Sequence, residues 1–253
     1  MLTKLILRIA ATATLLASVA MAQPKPKSQK EVDALMAIQS AVDPDARIAA
    51  VENLLTRFAD TEYKSFALFV AAASAQQKND FEKMVVYSER TLEADPKNFQ
   101  AMLMLAGGIA QRTREFDLDR EEKLGRAEKF AKQALEVLKT APKPNPQLTD
   151  EQWAAGKKDS ESEAHTALGQ AAMVRKKFDV AAAEFKLAID LAAAPDPATM
   201  VRLANVYNQM NKPDDAIAVL DKMNAITDLH PAVKSAATGE RATSVKLKGT
   251  AKP

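Results

Sequence analysis

Two stretches of this chain lie on one another at a fixed offset of 35 residues: Leu168 on Leu203, Ala172 on Tyr207, Phe178 on Pro213, Ala181 on Ala216 and Phe185 on Leu220. A unit of that length cannot bury its apolar face alone, so the chain must stack neighbouring units into a continuous core. Seven glycines in 253 residues and an aromatic share of only 5% leave no strand enrichment and suit close helix packing. The expected fold is all-α, a stack of helical hairpins whose product is a surface for holding other molecules.

The repeat can be followed along most of the chain. Its best unit reads Leu168-Gly169, Ala172, Phe178, Ala181, Phe185, Ala188, where small residues let two antiparallel helices approach and Phe185 fills the space between hairpins. The next unit has Leu203-Ala204, Tyr207, Ala216 and Leu220, with Lys212-Pro213-Asp214 as its turn and Pro213 opening the second helix. Upstream, Phe81, Leu92 and Asp95-Pro96 close a weaker unit whose first helix carries Ala71, Ala72 and Ala75. A leading unit has its first helix at about 29–42 and its second at about 43–60.

The middle departs from the period. Thr91-Leu92 to Ala134-Leu135 places about nine extra residues around Glu115 to Lys123, inside one hairpin. Beyond Ala134 the run Ala141-Pro142-Lys143-Pro144-Asn145-Pro146 reads as a polyproline-like connector with few hydrogen-bonding groups. Thr149 or Asp150 then caps a long helix through Trp153 to about Lys177. The expected organisation is a leader over 1–22, hairpins over 23–141, a connector at 142–148, hairpins over 149–230, and a terminal helix with a basic tail over 231–253.

These units resemble tetratricopeptide repeats, closely over 162–225 and more loosely over 44–140, which implies a TPR-like α-solenoid of about five hairpins with a terminal helix. Leu54-Leu55-Thr56-Arg57-Phe58-Ala59-Asp60-Thr61-Glu62-Tyr63 is also similar to the F/Y-P-D-S-x-Y hairpin junction of two periplasmic families, the Tol-Pal-associated cell-division coordinator and the outer-membrane assembly lipoprotein. Ala59 stands where those families carry proline, and the chain has no cysteine for a lipoprotein anchor. The resemblance implies a periplasmic or secreted adaptor acting on cell-envelope proteins.

In each first helix the stripe of Leu68, Ala71, Ala72 and Ala75 type packs on its partner, and the opposite stripe lines an inner, concave face. That face offers Phe66, Phe69, Ala73, Gln76, Gln100, Leu103 and Gly107 in the N-terminal half, and Glu163, Thr166, Gln170, Arg202, Asn205 and Asn208 in the C-terminal half. An apolar stretch beside amide groups suits an extended or helical peptide. Phe66 and Phe69 could instead fill contacts with the leading hairpin. The chaperone-adaptor branch of the resembling family clamps a terminal carboxylate with lysines and asparagines; Arg202 and Asn205 face that groove, but Phe69, Ala73, Leu103 and Gly107 stand at the matching earlier positions, so the clamp is not reproduced.

Lys4 and Arg8 precede a short apolar run, Ile9 to Val19, and Ala20-Met21-Ala22 forms an A-x-A site before Gln23, the pattern of a cleaved secretory signal. The run is too short, and too broken by Thr12, Thr14 and Ser18, for a stable membrane anchor. Removing Lys4 and Arg8 from the 35 basic residues leaves 33 against 33 acidic, so no net field favours nucleic acid. Lys234, Arg241, Lys246, Lys248 and Lys252 face only Glu240 in the tail, which reads as a solvated end.

Asp117-x-Asp119-x-Glu121, followed by Leu124 and Glu128, partly matches a calcium loop, but Glu122 replaces the turn glycine and Asp119-Arg120-Glu121-Glu122 reads as a capping box. His165 and His230 have no nucleophile or metal partner at a recognisable spacing. Gly107-Gly108 lacks the strand and spacing of a phosphate cradle, and Trp153 docks its helix on the preceding hairpin. The expectation is a non-enzymatic, cofactor-free scaffold for a protein or peptide partner. A self-assembling structural module is the alternative, and a weak calcium-binding protein a more remote one.

Overall fold

In the computed structural model, residues 25–250 are described, and they form eleven α-helices, one 3-10 turn and no strand. In chain order the helices are α1 (Gln29–Ser40), α2 (Pro44–Arg57), α3 (Lys64–Gln77), α4 (Phe81–Ala94), α5 (Phe99–Arg112), α6 (Arg120–Thr140), α7 (Asp150–Val174), α8 (Phe178–Leu191), α9 (Pro197–Gln209), α10 (Pro213–Lys222) and α11 (Pro231–Thr250), with the 3-10 turn at Met223–Ala225. The chain divides into two compact units. Of the described residues, one holds those up to Ala101 together with Ala141–Asp150, and the other holds Met102–Thr140 and those from Glu151 to Thr250.

In the first unit each helix packs on the next, α1 on α2, α2 on α3 and α3 on α4. The starts follow the cap chemistry of the sequence. The Ser28 hydroxyl accepts from the Glu31 amide at 3.2 Å, and Asp43 accepts from Asp45 and Ala46 at 2.8 and 3.0 Å with Pro44 opening α2. α1 stops at Ser40 instead of running to Val42, because Ala41 is already extended (φ −69°, ψ 113°), and Pro44 disfavours helical backbone at Asp43. The stripe Leu68, Ala71, Ala72 and Ala75 is fully buried, as the repeat pattern requires.

The hairpin junction after α2 is built around a buried carboxylate. Glu31, only 1% exposed, accepts from the Thr61 hydroxyl at 2.6 Å and from the Lys27 amide at 2.5 Å. Thr61 in turn accepts from the Tyr63 amide at 3.2 Å, while Lys27 pairs with Asp60 at 2.6 Å. The Asp-Thr-x-Tyr run is therefore a lock between the first helix and the chain entering the third.

In the second unit, the ring of Phe185 packs against Gly169. A Cβ at Gly169 would sit 2.6 Å from Phe185 Cδ1 and 2.7 Å from Cε1, closer than any carbon contact allows. Phe185 is wholly buried with Ala172, Ala181, Ala182, Leu203 and Val206. A second cluster joins Met200, Val201, Ala204, Ala216, Leu220 and Met223, with Val233 and Ala237 of α11 against it. The two matched repeats are thus matched layers of one core.

Three of the turns inside hairpins share one backbone design. Asn79, Lys176 and Asn211 have φ of 59°, 59° and 55°, each two residues before the next helix. At each, the following amide reaches back five residues, from Asp80 to Ala75, Lys177 to Ala172 and Lys212 to Tyr207, at 2.8–2.9 Å. The left-handed residue itself bonds three back, to Gln76, Met173 and Asn208. This is the Schellman end, and asparagine tolerates its left-handed residue better than lysine does.

Elsewhere the structure departs from the expectations. The proline segment is ordered by hydrogen bonds: Asn145 Oδ1 accepts from the Gln147 amide at 2.9 Å, and Lys143 pairs with Asp150 at 2.6 Å, holding that carboxyl below its usual range. Ion pairs also tie the chain on its two sides, since Arg175 at the end of α7 bonds Glu121 at 2.8 Å and pairs with Glu128 on α6. The basic tail up to Thr250 lies on α11, most of whose residues are exposed, and Arg241 and Lys248 pair with Asp221 and Asp214 of α10. The leader, Lys252 and the remainder of the expected tail lie outside the described residues.

Candidate functional site

Of the residues expected to line a groove, Phe66, Phe69, Ala73, Gln76 and Gln100 belong to the first unit and Leu103, Gly107, Glu163, Thr166, Gln170, Arg202, Asn205 and Asn208 to the second. Phe66 and Phe69 are half-buried on α3, while Gln76 near its end and Gln100 at the start of α5 are exposed. Leu103, on α5, is only 7% exposed and counts as core. A Cβ added at Gly107, one turn later, meets no atom within 4 Å.

Asn205 and Asn208 do converge, on the terminal helix. Asn205 Nδ2 donates to Glu240 at 2.8 Å, and Asn208 Nδ2 donates to the Glu240 carboxylate and backbone oxygen at 2.9 and 3.0 Å. Asn208 Oδ1 accepts from the buried Ser244 hydroxyl at 2.8 Å. Helix α11 thus continues the repeat as one more first helix. The same offset of 35 carries Asn205 onto Glu240 and Ala204 onto Gly239, a signal present in the sequence and absent from the expected site. With its amide groups already engaged, this end of the stack is closed by a polar cap.

Two polar groups remain with unmet capacity. Gln170 on α7 is the repeat equivalent of Asn205; it is buried, yet its Oε1 has no hydrogen-bond partner among the described residues. An acceptor stranded in this way costs about 1–3 kcal/mol. Arg202, on α9, is largely desolvated, which pulls its guanidinium below the usual arginine range, and its nearest carboxylate, Asp196, lies 3.9 Å away. Asp196 is itself committed to capping α9 through the Ala198 and Thr199 amides at 3.2 Å.

The acidic insertion is an ion-paired turn. Asp117 accepts from the Arg114 amide at 3.1 Å, which holds its carboxyl below the usual range, and Lys123 pairs with Asp117 and Asp119 at 3.4 and 2.8 Å. Glu121 is held low by its bond to Arg175. Among the described residues no group of three or more His, Asp or Glu side chains is placed to hold a metal ion.

The histidines hold helices together or start them. His165 Nδ1 meets Glu184 Oε2 at 2.6 Å between α7 and α8, and His230 Nδ1 accepts from the Ala232 amide to open α11. Trp153 is half-buried with the Lys157 ammonium 5.9 Å from its ring centre. No helix of the described residues is long and apolar enough to cross a membrane.

Helices only, hairpins packed in chain order, a glycine–phenylalanine contact inside the repeat and a polar terminal helix define the class: an all-α, tetratricopeptide-like α-solenoid. No protein-family model matches the sequence, and no curated protein matches it. Among solved structures, a thermophilic TPR protein of Thermus thermophilus is similar with a TM-score of 0.54 at 17% identity, over 84% of this chain and 95% of that one. At that identity the likeness is one of fold. Weaker likenesses are to a tetratricopeptide repeat protein from Parabacteroides merdae, with TM-score 0.45, 13% identity and 89% and 94% of the two chains, and to the MamA protein, with TM-score 0.41, 20% identity and 74% and 89%.

Proposed function

We propose that this protein is an exported, non-enzymatic scaffold that holds a peptide or protein segment of a cell-envelope partner on its first helices. The observation that carries this reading is the pair of unmet polar groups in the second unit, the buried Gln170 carbonyl and the desolvated Arg202. A peptide backbone offers both an N–H for the first and a C=O or carboxylate for the second. Export rests on the leader pattern over 1–22, and the periplasmic adaptor role on the Asp60-Thr61-Glu62-Tyr63 junction.

The test is selection from a random peptide library on the purified chain, followed by affinity measurement on Gln170→Ala and Arg202→Gln. Selected peptides should lose tenfold or more in affinity on either variant while its helicity is retained. Peptides that bind both variants as well as the parent would refute the assignment of the site. Fractionation of expressing cells with mass measurement of the mature N-terminus tests export, which requires cleavage near Ala22.

A further inference from the structure

Helix α11 stands in the place of one more first helix without being built like one. Of its residues only Ser244 is buried, and that one is polar, whereas α9, on which it lies, buries Met200, Val201, Leu203, Ala204 and Val206. Its inner stripe carries just three half-buried apolar residues, Val233, Ala237 and Leu247, with Glu240, Arg241 and Ser244 among them. The pairs of Arg241 with Asp221 and Lys248 with Asp214 are exposed, so they contribute little and are screened by salt. Gly239, in the middle of the helix, has open space where a Cβ would be. Packing does not require that glycine, and it weakens the helix about fivefold relative to alanine.

What ties the helix down is a set of polar side chains. Asn205 and Asn208, one turn apart on α9, both donate to the Glu240 carboxylate, at 2.8 and 2.9 Å, and Asn208 Oδ1 accepts from the Ser244 hydroxyl at 2.8 Å. Asn208 is only 6% exposed, and the hydrogen bonds of its side chain go to α11. Two amides fixed on one helix face form a selective seat: it takes a carboxylate and, four residues along the same helix, a hydroxyl. The link feeding α11, residues 226–230, turns at Asp228 with φ 58°, a left-handed position that lifting the helix would release.

We propose that α11 is a releasable strap, an internal ligand that keeps the Asn205–Asn208 seat filled until a partner helix bearing Glu-x-x-x-Ser on one face replaces it. The occupant's chemistry is that of the segment already seated there. Around its glutamate the partner carries an apolar residue seven before, a small one three before, the hydroxyl four after and an apolar residue seven after, as Val233, Ala237, Ser244 and Leu247 stand around Glu240. Neither Gln170 nor Arg202 takes part in this seat. The tethered helix competes at an effective concentration on the order of millimolar, so the partner enters readily only when the strap is loosened.

The test is fluorescence anisotropy of a labelled synthetic peptide of residues 229–250 added to the purified full chain. Glu240→Ala removes the chain's own carboxylate and leaves the seat for that of the peptide, so this variant should bind about tenfold or more tighter than the parent. Ser244→Ala, a smaller change at the same seat, should move affinity in the same direction, and circular dichroism should show both variants still helical. A peptide carrying Glu240→Ala should lose that gain. Hydrogen exchange on the full parent chain should find the α11 amides about tenfold or more faster than those of α9, and Gly239→Ala should slow them about fivefold. Equal peptide affinity for the parent and Glu240→Ala, equal binding of the Glu240→Ala peptide, or protection of α11 as high as that of α9 would each overturn the proposal. A parent that dimerises in sedimentation velocity, and no longer does so as Glu240→Ala, would overturn it in favour of a helix exchanged between two copies.

Discussion

Replacing Gly169 by alanine sets two opposite effects against each other, and the structure decides the sign. In the middle of a helix, alanine is worth about 1 kcal/mol more than glycine. At this position the new methyl would meet three ring atoms of Phe185 at 2.6, 2.7 and 3.0 Å, whereas carbons rest at about 3.5–4.0 Å. The ring cannot retreat cheaply, because Phe185 is wholly buried among Ala181, Ala182, Leu203 and Val206. Overpacking of this kind costs about 2–3 kcal/mol, the upper part of the usual range, which leaves a net loss of about 1–2 kcal/mol for Gly169→Ala.

Phe185→Leu vacates the space, so the double variant should be no less stable than Phe185→Leu alone, a coupling of about 1 kcal/mol or more. Gly125→Ala is the control: it lies on exposed helix with nothing within 4 Å and should gain about 0.5–1 kcal/mol. Denaturant titration followed by far-UV circular dichroism measures all four. A Gly169→Ala midpoint that rises as far as that of Gly125→Ala would refute the packing argument.

Lys176→Gly should stabilise by about 0.5–1 kcal/mol, because it relieves a left-handed lysine, while Lys176→Ala, which keeps the strain, should not. Glu31→Ala strands the buried Thr61 hydroxyl and frees the Lys27 amide, and should lower stability by about 2–4 kcal/mol in the same titration. Leu103→Arg places an unpaired charge in the core and should lose several kcal/mol, so that loss of any binding would follow unfolding. Tyr87 is pushed up to about 12 by burial and then by Glu52. Its folded form keeps the proton while the unfolded chain releases it above about pH 10, so its contribution is present below that pH and is lost between about 10 and 12. Relative to Tyr87→Phe, the parent should lose up to about 2 kcal/mol across that interval, measured as paired melts.

Much of the fold was legible because repeat packing is local. The offset of 35, the small residues at Gly169 and Ala181 and the prolines at 44, 197 and 213 act on neighbours a helix or two away, and period and cap chemistry carry that information directly. Even the junction at Asp60 to Tyr63 could be picked out as a motif. Its partner Glu31 could not, since a glutamate on a first helix looks like any solvated one until the chain closes over it.

The site was legible only as a set of helix faces. Leu103 and Gln76 have the same standing in the repeat pattern, yet one is core and the other exposed, because burial depends on which neighbours the stack supplies. Asn205 and Asn208 looked like free amides, and the tertiary fold brought Glu240 and Ser244 to them from 32 to 36 residues away. Gln170, chemically similar and one repeat earlier, received no partner for its Oε1. The sequence alone thus determined the hairpins, their turns and their order, which depend on backbone preferences and short-range apolar spacing. Which polar groups were satisfied, and which apolar ones were left outside at Phe116 and Leu118, was decided by tertiary packing, because hydrogen-bond satisfaction and burial are properties of the neighbours and not of the residue.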